Sequence, residues 1–127
     1  MINALEKLTK DLIFISETDA PILPVELGKA TDVSIEELRR LADIDRSLEI
    51  EEVPVGQFFA RLTEKEEWHG PRETDRAKRY SRIEKHLRTH LRDTKVFKVG
   101  KVQRVIFVVG LDADDRLSGI RTKSVET

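Results

Sequence analysis

Five consecutive apolar residues, Val105-Ile106-Phe107-Val108-Val109, can be satisfied in few ways. On a strand, successive side chains point to opposite faces. Both faces of this stretch are therefore apolar, and both need cover. The run is far short of the roughly 20 residues that a membrane-spanning helix requires. It reads instead as the central strand of a sheet, with other elements packed on each side. A chain of 127 residues, 39% of them hydrophobic, can supply that cover within one domain spanning 1–127.

The rest of the chain offers the covering elements. Ile2, Leu5, Leu8 and Leu12 form one apolar stripe at helical spacing, prolonged by Ile13-Phe14-Ile15 and broken by Ser16 to Pro21. Ile22 to Leu27 reads as extended. Ser34 and Glu37 stand in a capping-box relation ahead of Leu38 and Leu41, which predicts a short helix over 35–42. Leu48 to Val53 fits a short strand, and Pro54 opens a helical turn carrying Phe58, Phe59 and Leu62. Residues 72–92 give the clearest helix, with Ala77, Tyr80, Ile83, Leu87 and Leu91 on one seam. Lys78, Arg79, Arg82, Lys85 and Arg92 lie away from that seam. Strands follow at 96–99, 102–109 and 117–125, with an Asp-rich hairpin turn between the last two. Helices before the sheet and a C-terminal meander make an α+β layered domain.

Charge is abundant but nearly balanced, with 23 Lys and Arg against 24 Asp and Glu. The balance hides a segregation. Residues 1–71 hold 8 basic and 16 acidic side chains, whereas residues 72–98 hold 10 basic and 4 acidic. The total does not describe a strongly basic nucleic-acid binder, and few aromatics remain outside core stripes to stack on bases. Direct nucleic-acid binding is not expected.

Several chemistries are excluded or unsupported. With no cysteine, the chain has no disulfide, thiolate metal site or thiol nucleophile. His86 and His90 have metal-compatible i, i+4 spacing, but no Glu follows His86 and no third ligand is apparent. His69 has no evident nucleophile beside it. Asp112, Asp114 and Asp115 lack the glycine and closing glutamate of a calcium loop and read as a polar turn. The common phosphate-cradling glycine motifs are missing. No catalytic constellation emerges, so the chain is expected not to be an enzyme and to carry no cofactor. Met1 to Lys7 lacks a signal-peptide apolar core, and a cytoplasmic, non-membrane protein is expected.

Four stretches taken in order are more specific. They are Leu12-Ile13-Phe14-Ile15-Ser16-Glu17; Phe58-Phe59 followed by Glu66-Glu67-Trp68; Val96-Phe97-Lys98-Val99-Gly100; and the closing Ser118 to Thr127, with its pattern G-I-x-T-K-x-V-E-T. Together they resemble the bacterial nuclease A inhibitor family over nearly the whole chain, least between Ile22 and Ile50. The resemblance implies a three-layer α/β/α sandwich around a mainly antiparallel sheet. It also implies an inhibitor of a sugar-nonspecific, Mg²⁺-dependent endonuclease. By the same resemblance, Thr127 sets its hydroxyl on the nuclease's metal, not on a metal of this chain. Glu17 enters the active site in place of the scissile phosphate, and Glu67 with Trp68 forms a second contact patch. Position 67 is Glu where the family pattern leads one to expect Asp.

These roles suit the residue types. Mg²⁺ prefers oxygen ligands and keeps exchangeable waters, a site built for phosphate attracts a carboxylate, and Trp is enriched among interface hot spots. A monomer when free is expected. The competing expectation is a non-inhibitory domain that binds nucleic acid or another protein through the basic helix 72–92.

Overall fold

The computed structural model describes residues 2–16, 18–63 and 70–126. Its elements run α1 (Ile2–Thr9), β1 (Ile13–Ile15), β2 (Asp19–Pro21), β3 (Leu23–Lys29), α2 (Ile35–Ala42), β4 (Ile50–Val53), α3 (Val55–Thr63), α4 (Pro71–His90), β5 (Arg92–Val99), β6 (Gln103–Leu111) and β7 (Arg116–Val125). The fold is mixed α+β. Strands β3-β7-β6-β5-β4 form a five-stranded sheet, antiparallel at every pairing, and β1-β2 forms a separate two-stranded ribbon.

The apolar run sits where its sequence requires. β6 lies at the centre of the sheet, and Ile106 to Leu111 are all buried. Its side chains divide between two cores with the period of two that a strand imposes. Ile106 and Val108 join Val96, Ile120, Leu5 of α1, Phe59 of α3 and Tyr80, Ile83 and Leu87 of α4. Phe107 and Val109 join Phe97, Val99, Leu117 and Leu38 of α2. Helices therefore supply the cover for each set.

α2 begins and ends as predicted, at 35 and 42. Ser34 Oγ accepts the Glu37 N–H at 3.2 Å, which satisfies one of the donors left over at a helix start. The reciprocal half of the capping box is absent. Glu37 instead accepts from the Thr31 N–H at 3.0 Å and from Arg40 at 2.9 and 2.8 Å. The Arg40 hydrogen bond, aided by Thr31, pushes the Glu37 carboxyl down to about 2. A carboxyl lowered on folding contributes stability above its unfolded value of about 4.5, and that contribution fades as pH falls towards 2. Carboxyl NMR should therefore give a Glu37 midpoint near 2, and Arg40→Met should return it towards the ordinary Glu range. A wild-type midpoint at the ordinary value would contradict the geometry.

The N-terminal stripe departs from expectation. The helix stops at Thr9, whose hydroxyl donates to the Leu5 carbonyl at 2.7 Å, and Asp11 takes a left-handed turn at φ 58°. Ile13-Phe14-Ile15 is then a strand and does not prolong the helix. Three mostly β-branched or aromatic residues after a turn favour extended backbone, and pairing with Asp19–Pro21 stabilises it. β5 also begins earlier than expected, at Arg92, so Arg92 is a strand residue that pairs with Asp115 rather than part of the basic helix.

Candidate functional site

Every residue assigned a contact role by the sequence lies outside the described residues: Glu17, Glu67, Trp68 and Thr127, as does His69. Ser16 and Glu126, the residues before Glu17 and Thr127, are described, whereas Glu67 and Trp68 fall between the described residues Thr63 and Gly70. Ser16, which precedes Glu17, Leu62 near the end of α3, and Glu126, which precedes Thr127, all line one cleft of about 650 Å³. The stretches that carried the resemblance meet there. Phe14, Ile15 and Ser16 come from the first, Phe58 from the second, Lys98 from the third, and Ser124, Val125 and Glu126 from the last.

The double phenylalanine divides its work. Phe59 is fully buried in the core, while half-buried Phe58 faces the cleft. Phe58 stacks on Phe14 with ring centroids 6.0 Å apart and planes 7° apart. Such contacts add to area burial, and here they join α3 to β1. Val53 and Leu62 extend the apolar wall, and Gln57, Arg61, Lys98 and Glu126 supply polar groups. Ile15 is 51% exposed at this cleft.

β1 is held from beneath by α4. Buried Tyr80 donates its hydroxyl to the Ile13 carbonyl at 2.9 Å, and burial pushes its phenol pKa upward. Arg79 donates to the carbonyls of Leu8 and Lys10, satisfying acceptors left over at the end of α1. Part of the basic face of α4 is thus committed within the molecule. Arg88 pairs with Glu84, while Lys78, Arg82 and Lys85 are exposed.

A hydrogen bond joins the β1 turn to the end of β7. Ser16 Oγ accepts the Val125 N–H at 3.0 Å, and Ser16 Oγ donates to the Thr18 carbonyl at 3.0 Å. The Glu126 N–H donates to the Val102 carbonyl at 2.8 Å. The Glu126 carboxylate accepts from Lys98 Nζ at 2.8 Å and Ser124 Oγ at 2.9 Å, with Arg104 Nε at 3.6 Å. Sequence reasoning did not single out this set. Ser16, Lys98, Ser124 and Glu126 stood within the motif stretches, but their mutual contacts depend on strand register. Arg104 carried no signal.

The remaining candidates acquire structural explanations. The Asp112 carboxylate accepts the N–H groups of Asp114 and Arg116 at 2.9 and 3.0 Å and the Ser118 hydroxyl at 3.0 Å. Burial opposes its ionisation, but these donors outweigh it and its pKa is lowered. The Asp-rich segment is a turn built around Asp112. The His86 and His90 rings are in contact at a tilt of 46°, with centroids 4.3 Å apart. Among the described residues no three His, Asp or Glu side chains are grouped to hold a metal ion. No helix among them is long and apolar enough to cross a membrane.

A search of curated proteins finds no match. A family model described as nuclease A inhibitor-like protein matches residues 1–127, the full length of the chain.

Proposed function

Because the chain belongs to the nuclease A inhibitor-like family, a nuclease-inhibitor role follows from its family, and we propose that it inhibits a Mg²⁺-dependent, DNA/RNA-nonspecific endonuclease by occluding the active site. In this reading Thr127 offers its hydroxyl to the nuclease's Mg²⁺, Glu17 takes the place of the scissile phosphate, and Glu67 with Trp68 adds a second patch. The supporting observation is the convergence of Ser16, Leu62 and Glu126 on one cleft. Ser16 and Glu126 directly precede Glu17 and Thr127, and α3, which leads towards Glu67 and Trp68, lines the same cleft through Phe58, Arg61 and Leu62.

The energetics favour several contacts. Nanomolar inhibition corresponds to about −12 kcal/mol, more than one metal ligand and one carboxylate supply. A hot-spot Trp costs about 2 kcal/mol or more when truncated, so Trp68→Ala should raise Ki about 30-fold.

The test is a titration of the chain ending at Thr127 into such an endonuclease, assayed on DNA and RNA. Loss of both activities at one inhibitor per enzyme, relieved by excess substrate, is the expected result. Full activity at micromolar inhibitor would refute the reading.

A further inference from the structure

Residues 124–126 are held by side chains from three separate elements. Lys98 reaches Glu126 from β5, Arg104 from β6, and Ser16 takes the Val125 N–H from the end of β1. Terminal residues ordinarily fray unless they are tied down. These ties are also partly shielded from water, since the Lys98 and Arg104 side chains are only 18% and 19% exposed. An ion pair so placed is less screened than one on an open surface. Burial alone would raise the Glu126 pKa, but the hydrogen bonds from Lys98 and Ser124 and the charges of Lys98 and Arg104 outweigh it and hold the carboxyl below its usual range.

We propose that Lys98, Arg104 and Ser16 are positioning residues, which fix Val125 and Glu126 in the free protein and so pre-set the backbone from which Thr127 reaches its target. This inference rests on the inhibitor reading above. Fixing a residue's backbone costs conformational entropy whenever it happens. When the ordering precedes association, that cost is not charged against binding, which is the basis of preorganised affinity. Ser16 adds a second consequence. Its hydroxyl ties the strand that leads into Glu17 to the strand that leads into Thr127, so the two segments keep one relative placement.

The test uses Lys98→Met, Lys98→Arg and Ser16→Ala, each confirmed as folded by circular dichroism at the assay temperature. Two quantities are read: amide hydrogen exchange at Val125 and Glu126 in the free protein, and Ki against a purified Mg²⁺-dependent, DNA/RNA-nonspecific endonuclease. Lys98→Met should speed Glu126 exchange and raise Ki about tenfold, while Lys98→Arg stays within about threefold of wild type. Ser16→Ala, which leaves the ion pair intact, should speed Val125 exchange and raise Ki in the same direction.

A double-mutant cycle separates positioning from direct contact or general stability. If Lys98 acts through Thr127, Lys98→Met should raise Ki much less in a Thr127→Val background than in the wild type. An equal rise in both backgrounds would overturn the proposal. So would faster exchange with an unchanged Ki, or unchanged exchange at both amides. A wild-type chain that fails to inhibit would refute the inhibitor reading and this inference with it, whereas full inhibition by wild type and all variants alike would refute only the inference.

Discussion

Thr127→Val is expected to raise Ki by about 100-fold while leaving the thermal midpoint of the free protein in place. The substitution keeps the β-branched shape and exchanges one hydroxyl for a methyl. Mg²⁺ takes oxygen ligands and does not readily give up its waters. A methyl at that position displaces a water without replacing its bond, so the loss exceeds that of an ordinary surface hydrogen bond. A 100-fold change corresponds to about 2.8 kcal/mol, within the range for truncating a single dominant contact. Thr127→Ser, which restores the hydroxyl, should recover most of the inhibition. A short Gly-Ser extension after Thr127 should be worse than Thr127→Val, because it adds bulk where the nuclease's metal must be approached. Tight-binding titration of the three variants decides the matter. A Thr127→Val protein with wild-type Ki would remove the metal contact from the mechanism.

Where one element's own pattern decided its conformation, the sequence was legible. The run 105–109 demanded a doubly covered strand, and β6 is that strand. Ser34 announced the start of α2 through a hydrogen bond that spans three residues. The seam through Ala77, Tyr80, Ile83 and Leu87 is buried along α4. The failures came where a partner decided. Ile13-Phe14-Ile15 continues an apolar stripe equally well as helix or strand, and only pairing with Asp19–Pro21 and the Tyr80 hydroxyl make it a strand. Arg79 reads as one solvated cation among many until the end of α1 is brought against it.

The candidate site shows the same division. The motif stretches marked the segments that line the cleft, but not the reason that each belongs there. Lys98 and Glu126 are 28 residues apart, and Ser16 and Val125 are 109 apart. No periodicity within a strand encodes such pairs. They appear only once β5, β6 and β7 are in register and the β1 turn has folded back beside them.

Register also gives one motif residue a purely structural role, with a large expected effect. Gly119, which opens the pattern G-I-x-T-K-x-V-E-T, lies in β7 opposite Val109 of β6 and Val25 of β3. Its φ is 158°, and a Cβ there would fall 1.9 Å from the Val108 carbonyl oxygen and 3.0 Å from Val109 Cα. These obstacles are backbone atoms of the central strand and cannot swing aside like the end of a side chain. Gly119→Ala must therefore part β7 from β6 locally, with ladder hydrogen bonds lost as well as packing strained. The expected cost is about 3 kcal/mol or more, or about 10–15 °C in Tm for a domain of this size. Gly56, in α3, is the natural control. A Cβ there meets Arg88 Nη2 at 3.5 Å, an ordinary contact, and alanine is the better helix former, so Gly56→Ala should stabilise by about 0.5–1 kcal/mol. The same substitution thus has opposite signs at two glycines, readable by urea unfolding. If Gly119 serves only to let two backbones approach, the fraction of Gly119→Ala protein that remains folded should inhibit with a nearly wild-type Ki. A stable Gly119→Ala protein would mean that β6 and β7 are not this close, and the register that brings Lys98 to Glu126 would fall with it.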